Sequence, residues 1–299
     1  MKNTSKIQSA ILDTVNFYDL FDFPLTKGEI IDNLWKVKAD SVEIIKQVDE
    51  LITDKILDNS ESFIFLSGRQ ELVNIRKERY LSSFHKLQQI DKEKWIFKLS
   101  PFVKMIAIAN TLAYANAKPD GDIDILVVTQ KGRLYTTRVF LTFWLLILNK
   151  WRHGKYVKDR YCLSFLVSEE GMDMSRLKFS DSDDIYLCFW TKWLKPWYIT
   201  DKNIANRYYS ENKWVKKFIP NTAFINTKRK VDEKYFTTKF FELLLHGGLG
   251  NLIEKILAKM MLYKIKRNTK QFDIDGTIAN DKILKFHPAG KRTEYEIEW

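Results

Sequence analysis

The chain has 299 residues, 45% of them hydrophobic, 14% aromatic and 29% charged, which excludes general disorder and allows sizeable cores. Two cysteines, Cys162 and Cys188, exclude a disulfide framework and point to a reduced, cytoplasmic protein, and the four histidines show no ligand spacing that would make a zinc site. The net charge is +11, and residues 213–292 hold 18 Lys and Arg against 7 Asp and Glu, so the C-terminal third carries an excess equal to that of the whole chain and suits RNA or another polyanion.

The polar start of the chain lacks the apolar core of a signal peptide. The most apolar run, 139–148, is too short to cross a bilayer, so no membrane partner is expected. Residues 1–70 read as a winged-helix-like unit. Ile7, Ala10, Ile11, Thr14, Val15 and Tyr18 recur at helical spacing. A second helix starts at Thr26, where Glu29 completes a capping box, and a third covers 41–55 with Asp40 and Glu43 at its start. A hairpin then runs through Ile56-Leu57, a turn at Asn59-Ser60, and Phe63 to Leu66. The third helix holds Glu43, Asp49, Glu50 and Asp54 against Lys46 and Lys55, a balance that repels phosphate, so DNA is not an expected partner.

Residues 71–100 read as a charged connector helix ended by Pro101. The stretch 101–180 reads as a small mixed α/β core: a strand at 103–109, a polar loop or short helix at 110–121, a strand at 122–129, a turn at Lys131-Gly132, an apolar helix at 134–151 and a strand at 160–168. Residues 181–299 read as helical and basic, dense in aromatics between 190 and 214, and irregular after 268.

The chemistry concentrates at Asp122-Ile123-Asp124. Residues two apart in a strand share a face, so Asp122 and Asp124 project together, about 7 Å apart at Cα, while Ile123, Ile125 and Val127 turn into the core. Paired carboxylates repel unless a cation sits between them. Mg²⁺ fits, since it takes one or two carboxylates and fills its shell with water and substrate phosphates.

Upstream lie Ile108-Ala109, then Asn110-Thr111, then ten residues, then Asp122-Ile123-Asp124 leading an apolar strand. This order resembles the DNA polymerase beta-like nucleotidyltransferase superfamily, marked by a hydrophobic strand, Gly-Ser, a short spacer and Asp-x-Asp. Within it, the chain resembles bacterial nucleotidyltransferase-domain proteins with a winged-helix-like N-terminal region, which also carry a segment like Lys131-Gly132-Arg133-Leu134-Tyr135-Thr136-Thr137-Arg138. The resemblance implies an α+β fold with a mixed-sheet core, NTP as substrate, Mg²⁺ on Asp122 and Asp124 as the catalytic pair, and nucleotide phosphates at Asn110, Thr111, Arg133 and Arg138. The chain departs from the family at two places. Asn110-Thr111 stands where the family has Gly-Ser; asparagine tolerates left-handed backbone best among non-glycine residues, and Thr111 keeps a hydroxyl. The family's third acid belongs on the strand at 160–168, whose inward residues are Cys162 and Ser164; Asp159, Glu169 and Glu170 are the nearby substitutes. Two expectations follow: Mg-dependent transfer of a nucleoside monophosphate to a hydroxyl of an RNA end, small molecule or protein, or a catalytically degenerate relative that binds nucleotide or RNA or serves as a scaffold. A winged-helix transcription regulator is the weakest reading.

Overall fold

The structure is a computed structural model that describes residues 5–178, 184–223, 230–269 and 277–286. Its architecture is mixed α+β.

The first elements are α1 (Lys6–Asp19), α2 (Lys27–Asn33), α3 (Ser41–Thr53) and the hairpin β1 (Leu57–Ser60) and β2 (Phe63–Leu66). Ser5 with Gln8, and Thr26 with Glu29, form the capping boxes that start α1 and α2. Asp40 caps α3 through the Val42 amide, whereas Glu43 accepts a bond from Gln47 instead of closing a box. The hairpin turns at Glu61 and Ser62, both at positive φ, two residues later than Asn59-Ser60. Leu25 and Ile64 exchange backbone bonds and tie the turn before α2 to the hairpin.

Next comes α4 (Leu72–Lys98), which buries one side and exposes the other. Arg76 lies over the Phe23 ring and pairs with Glu29 at 2.7 Å. Arg79 reaches Asp22 and the Phe21 carbonyl. One turn apart along the helix, these arginines fasten the N-terminal unit to the rest of the chain.

The main sheet comprises β3 (Val103–Ile108), β4 (Ile123–Thr129), β5 (Tyr161–Ser168), β6 (Lys195–Ile199), β7 (Thr277–Ala279) and β8 (Ile283–Phe286), in the order β6-β3-β4-β5-β8-β7. Among the described strands of this sheet, β4 and β5 are the one parallel pair. Parallel neighbours need a crossover, and α6 (Leu134–Ile147) supplies it. The short α5 (Asn110–Ala113) links β3 to β4.

Helices cover both faces of the sheet. Ile123, Ile125 and Val127 pack with α4 and α6, as the alternation requires. Leu126 and Val128 pack on the other face against α8 (Ile204–Glu211), the 3₁₀ turn Met174–Leu177 and part of α7 (Ile185–Trp193). The region after 181 is therefore not purely helical: it gives the sheet β6, β7 and β8. Pro196 hides β6 from a sequence reading, but as an edge strand β6 tolerates the missing N–H. The segment after 268, expected to be irregular, contains β7 and β8; residues 270–276 and 287–299 of it lie outside the described residues. Two further helices, α9 (Phe236–Leu244) and α10 (Gly248–Thr269), precede β7, and α10 packs along α6. Among the described residues no helix is long and apolar enough to cross a membrane.

Candidate metal and nucleotide site

The site forms where β3 and β4 end side by side. The Ala109 amide donates to the Asp124 carbonyl at 3.0 Å, which sets the loop at Asn110 beside the acidic strand. Asn110 has φ 51°, a left-handed backbone of the kind asparagine tolerates. Its carboxamide oxygen accepts a bond from the Trp190 indole at 2.8 Å, and Trp190 stacks on Phe165 of β5. The asparagine side chain is thus held by α7. Thr111, next in the loop, is partly exposed.

Asp122 precedes β4 and Asp124 lies within it, both partly exposed. In register, Asp124 faces Cys162 on β5. One ligand atom from each of Asp122, Asp124 and Cys162 lies within 4.8 Å of the others. Cys162 is one of the two inward residues, with Ser164, of the strand on which the resemblance places an acid. Its thiol is raised to about 12, first by burial and then by the Asp124 carboxylate, so the group stays a thiol near neutrality. It donates to the Ser164 hydroxyl at 3.2 Å. A register shift between Asp124 and Leu126 adds a residue to β5 around Ser164, a bulge of the kind found beside sites.

The approach to β4 is clamped from below. Lys86 of α4, deeply buried, donates to the Gly121 carbonyl at 2.8 Å and pairs with Asp159. Asp159 in turn bonds Gly121 through its own amide. Asp159 therefore serves the loop that aims Asp122 and is not among the three clustered ligands. Glu169 and Glu170 lie at the other end of β5, where they meet Lys131 and Arg207. The strand Tyr161–Ser168 itself contains no acid.

The arginines are placed differently from each other. Arg133 is buried and gives its guanidinium to the Leu245 and His246 carbonyls, at 3.0 and 2.7 Å, and to the Asn251 side chain at 2.8 Å. Its donors join α9 to α10. Arg138 bonds the Leu163 carbonyl of β5 and lies 4.4 Å from the Phe286 ring centre. Burial lowers it to about 10, partly offset by Cys162. The expected phosphate ligands are thus not gathered at one point: Asn110 and Thr111 adjoin the carboxylates, Arg138 adjoins Cys162 across β5, and Arg133 serves the α9–α10 connection.

One residue not singled out from the sequence joins the group. Arg152 pairs with Asp122 at 3.1 Å and is half exposed. It follows Trp151, whose pairing with Tyr161 aligns this stretch with β5. No periodic signal marks it, because it sits in a short irregular run after α6. The aromatics between 190 and 214 pack mainly into the fold: Tyr208 is fully buried and donates to the Thr191 carbonyl.

Comparison of the chain with protein-family models, with curated proteins and with solved structures returns no match in any of the three.

Proposed function

We propose that this chain is a nucleotidyltransferase-like protein with a winged-helix-like N-terminal unit, acting on an NTP in a reducing, cytoplasmic compartment where Cys162 and Cys188 remain thiols. The observation that carries the reading is the convergence of Asp122, Asp124 and Cys162 beside a left-handed loop at Asn110. A divalent ion fits the two carboxylates, which alone meet the needs of Mg²⁺; the thiol is a poor Mg²⁺ ligand and lines the site. When bound, Mg²⁺ neutralises the triphosphate and stabilises charge on the transferred phosphoryl group.

The residues of the chain do the rest. Asp122 and Asp124 hold the ion, Thr111 and the neighbouring amides receive phosphate oxygens, and Lys86 keeps the Gly121 turn in place. An acceptor hydroxyl forms a bond to the α-phosphorus, the bond to the bridging oxygen breaks, and pyrophosphate leaves with its electron pair. The hydroxyl proton passes to water, because Cys162 remains a protonated thiol and Asp159 is engaged with Lys86. Transfer is accordingly slow. The acceptor is an RNA end, a small molecule or a protein hydroxyl.

The test incubates the chain with labelled NTPs, Mg²⁺ and candidate acceptors beside an Asp122→Ala/Asp124→Ala variant. Label in the acceptor that disappears with the double variant is the expected result; equal labelling by both proteins rejects the reading. The thiol at the third position favours one alternative, a degenerate relative that binds nucleotide or RNA, or serves as a scaffold, without turnover. Calorimetry that finds Mg²⁺-dependent NTP binding with no transfer selects it.

A further inference from the structure

The helices α6, α9 and α10 leave an apolar face outward. On α10, Leu249, Leu252, Ile256, Met260 and Tyr263 recur at intervals of three and four, which places them in one stripe. These are not the core-facing residues: Leu257, Ala258, Met261 and Leu262 form the stripe that packs inward. The outward residues protrude, with Met260 and Tyr263 at 64% and 69% exposure, and on α9 Phe236 and Leu243 reach 83% and 78%. On α6, Phe143, Leu146 and Ile147 are exposed as well. Soluble monomers rarely carry such apolar surface without an interaction to serve.

The charges on this face have one sign. The sequences of α6, α9 and α10 contain two acids, Glu242 and Glu254. Glu242 accepts from the Phe102 amide and pairs with Lys234. Glu254 accepts from the Tyr135 and Thr136 amides at the start of α6. Both are spent on partners within the fold. Lys255 and Lys259 flank the apolar stripe, and both are exposed.

A cavity of about 510 Å³ opens where α6 meets α10. Phe143, Trp151, Met261 and Phe286 give it an apolar lining, and Arg138 and Lys264 give it two cations. Among the described residues no carboxylate pairs with Arg138, which has the Leu163 carbonyl and the Phe286 ring instead. A half-buried cation without an anion is costly, and a ligand phosphate relieves that cost.

We propose that the outward face of α6, α9 and α10 docks on an anionic lipid bilayer, the α10 stripe entering the acyl boundary, its lysines at headgroup level, and Arg138 and Lys264 receiving a lipid phosphate. Protruding aliphatic and aromatic side chains rimmed by lysine are the pattern of helices that lie in an interface. A second copy of the chain fits poorly, since it brings the same lysines to the contact. RNA answers the lysines but leaves the aliphatic stripe in water. The mode is peripheral, and it departs from the expectation of no membrane partner, which rested on the absence of a spanning segment.

The test is flotation of the full chain with vesicles of phosphatidylcholine alone or with one-third phosphatidylglycerol. The comparison variant carries Leu252→Glu, Ile256→Glu and Met260→Glu, outward positions that leave the core intact, checked by circular dichroism and the unfolding midpoint. Wild type floats with the anionic vesicles only, salt weakens the binding, and the variant binds about tenfold less. The proposal is overturned if wild type stays unbound, binds neutral vesicles equally, or binds no better than the variant. It is overturned too if light scattering shows a dimer that the variant converts to monomer, or if labelled RNA is retained without vesicle binding. Nucleotidyl transfer plays no part in this assay, so either reading stands or falls alone.

Discussion

Position 110 requires a residue that accepts a positive φ and offers an acceptor to the Trp190 indole. Asparagine meets both demands, so Asn110→Ala combines the backbone strain of a left-handed alanine with an orphaned indole N–H. The expected loss is about 2–3 kcal/mol in urea unfolding, against about 1–2 kcal/mol for Asn110→Gly, which is free of the strain. Equal losses from both changes reject this account. The φ was legible because few residue types sit there comfortably; Trp190 was not, since it lies 80 residues away. The facing of Asp124 and Cys162 was half legible. Strand alternation put Cys162 inward, yet only the parallel register brings its sulfur to the carboxylates. Cys162→Asp adds an oxygen ligand there, so Mg²⁺ affinity measured by calorimetry rises about tenfold, or about 1.4 kcal/mol. Unchanged affinity means that Asp122 and Asp124 do not bind Mg²⁺ on this face.

At the scale of elements, the connection from α9 to α10 depends on a close approach. A Cβ on Gly250 lies 1.7 Å from the Leu245 carbonyl oxygen and 3.0 Å from the Arg133 guanidinium. Gly250→Ala therefore forces the turn open and loosens the carbonyls that Arg133 holds, costing about 2–3 kcal/mol. Hydrogen exchange reads the result: α9 and the start of α10 lose protection while β3 to β5 keep theirs. Loss spread evenly over the molecule contradicts a local clamp. Arg133 drew attention in the sequence as a phosphate ligand at a helix start, and no local pattern signals that its partners lie more than a hundred residues downstream. The same distance concealed β7 and β8, too short to show a period of two. The α10 stripe, by contrast, is legible in the three- and four-residue spacing of Leu249, Leu252, Ile256, Met260 and Tyr263 alone.

Across the whole molecule, the N-terminal unit and the C-terminal helices share one core. Ile185, Cys188 and Phe189 of α7 pack with Phe17, Tyr18 and Trp35. Lys192 of α7 crosses the same junction, donating to the Asp32 carboxylate at 2.6 Å and to the Asn33 side chain. Burial lowers its ammonium to about 8, and Asp32 offsets part of that shift. A lysine in the unfolded chain titrates near about 10.4. Between these values the unfolded state holds a proton that the folded state lacks, so stability rises with pH from about 8 to about 10. Above that range the trend reverses, because burial keeps Tyr18 and Tyr208 protonated while unfolded tyrosines ionise. Folded Cys162 keeps its proton above about pH 8.5, where an unfolded cysteine loses it, and so opposes the rise. The test is therefore the gap between the two proteins: from about pH 8 to about 10 the urea midpoint of wild type climbs relative to that of Lys192→Met. A gap that does not change with pH removes Lys192 as the cause. Divisions drawn at 70, 100 and 180 from the sequence mark changes of pattern, whereas the cores cross them, because apolar faces left open by one segment are closed by another far along the chain.

The seat of β8 against β5 has a consequence for how the chain is made. Phe165, Leu166 and Val167 pair with Lys285, Leu284 and Ile283, more than a hundred residues later. At about 5–20 residues added per second, a ribosome leaves that edge of β5 uncovered for roughly 6–23 s. During this interval a strand with apolar side chains on both faces offers free amides and carbonyls to any neighbouring nascent chain. The order of synthesis thus makes β5 the point where a holding chaperone matters most, and where a slow stretch of translation before 283 raises the yield of aggregate.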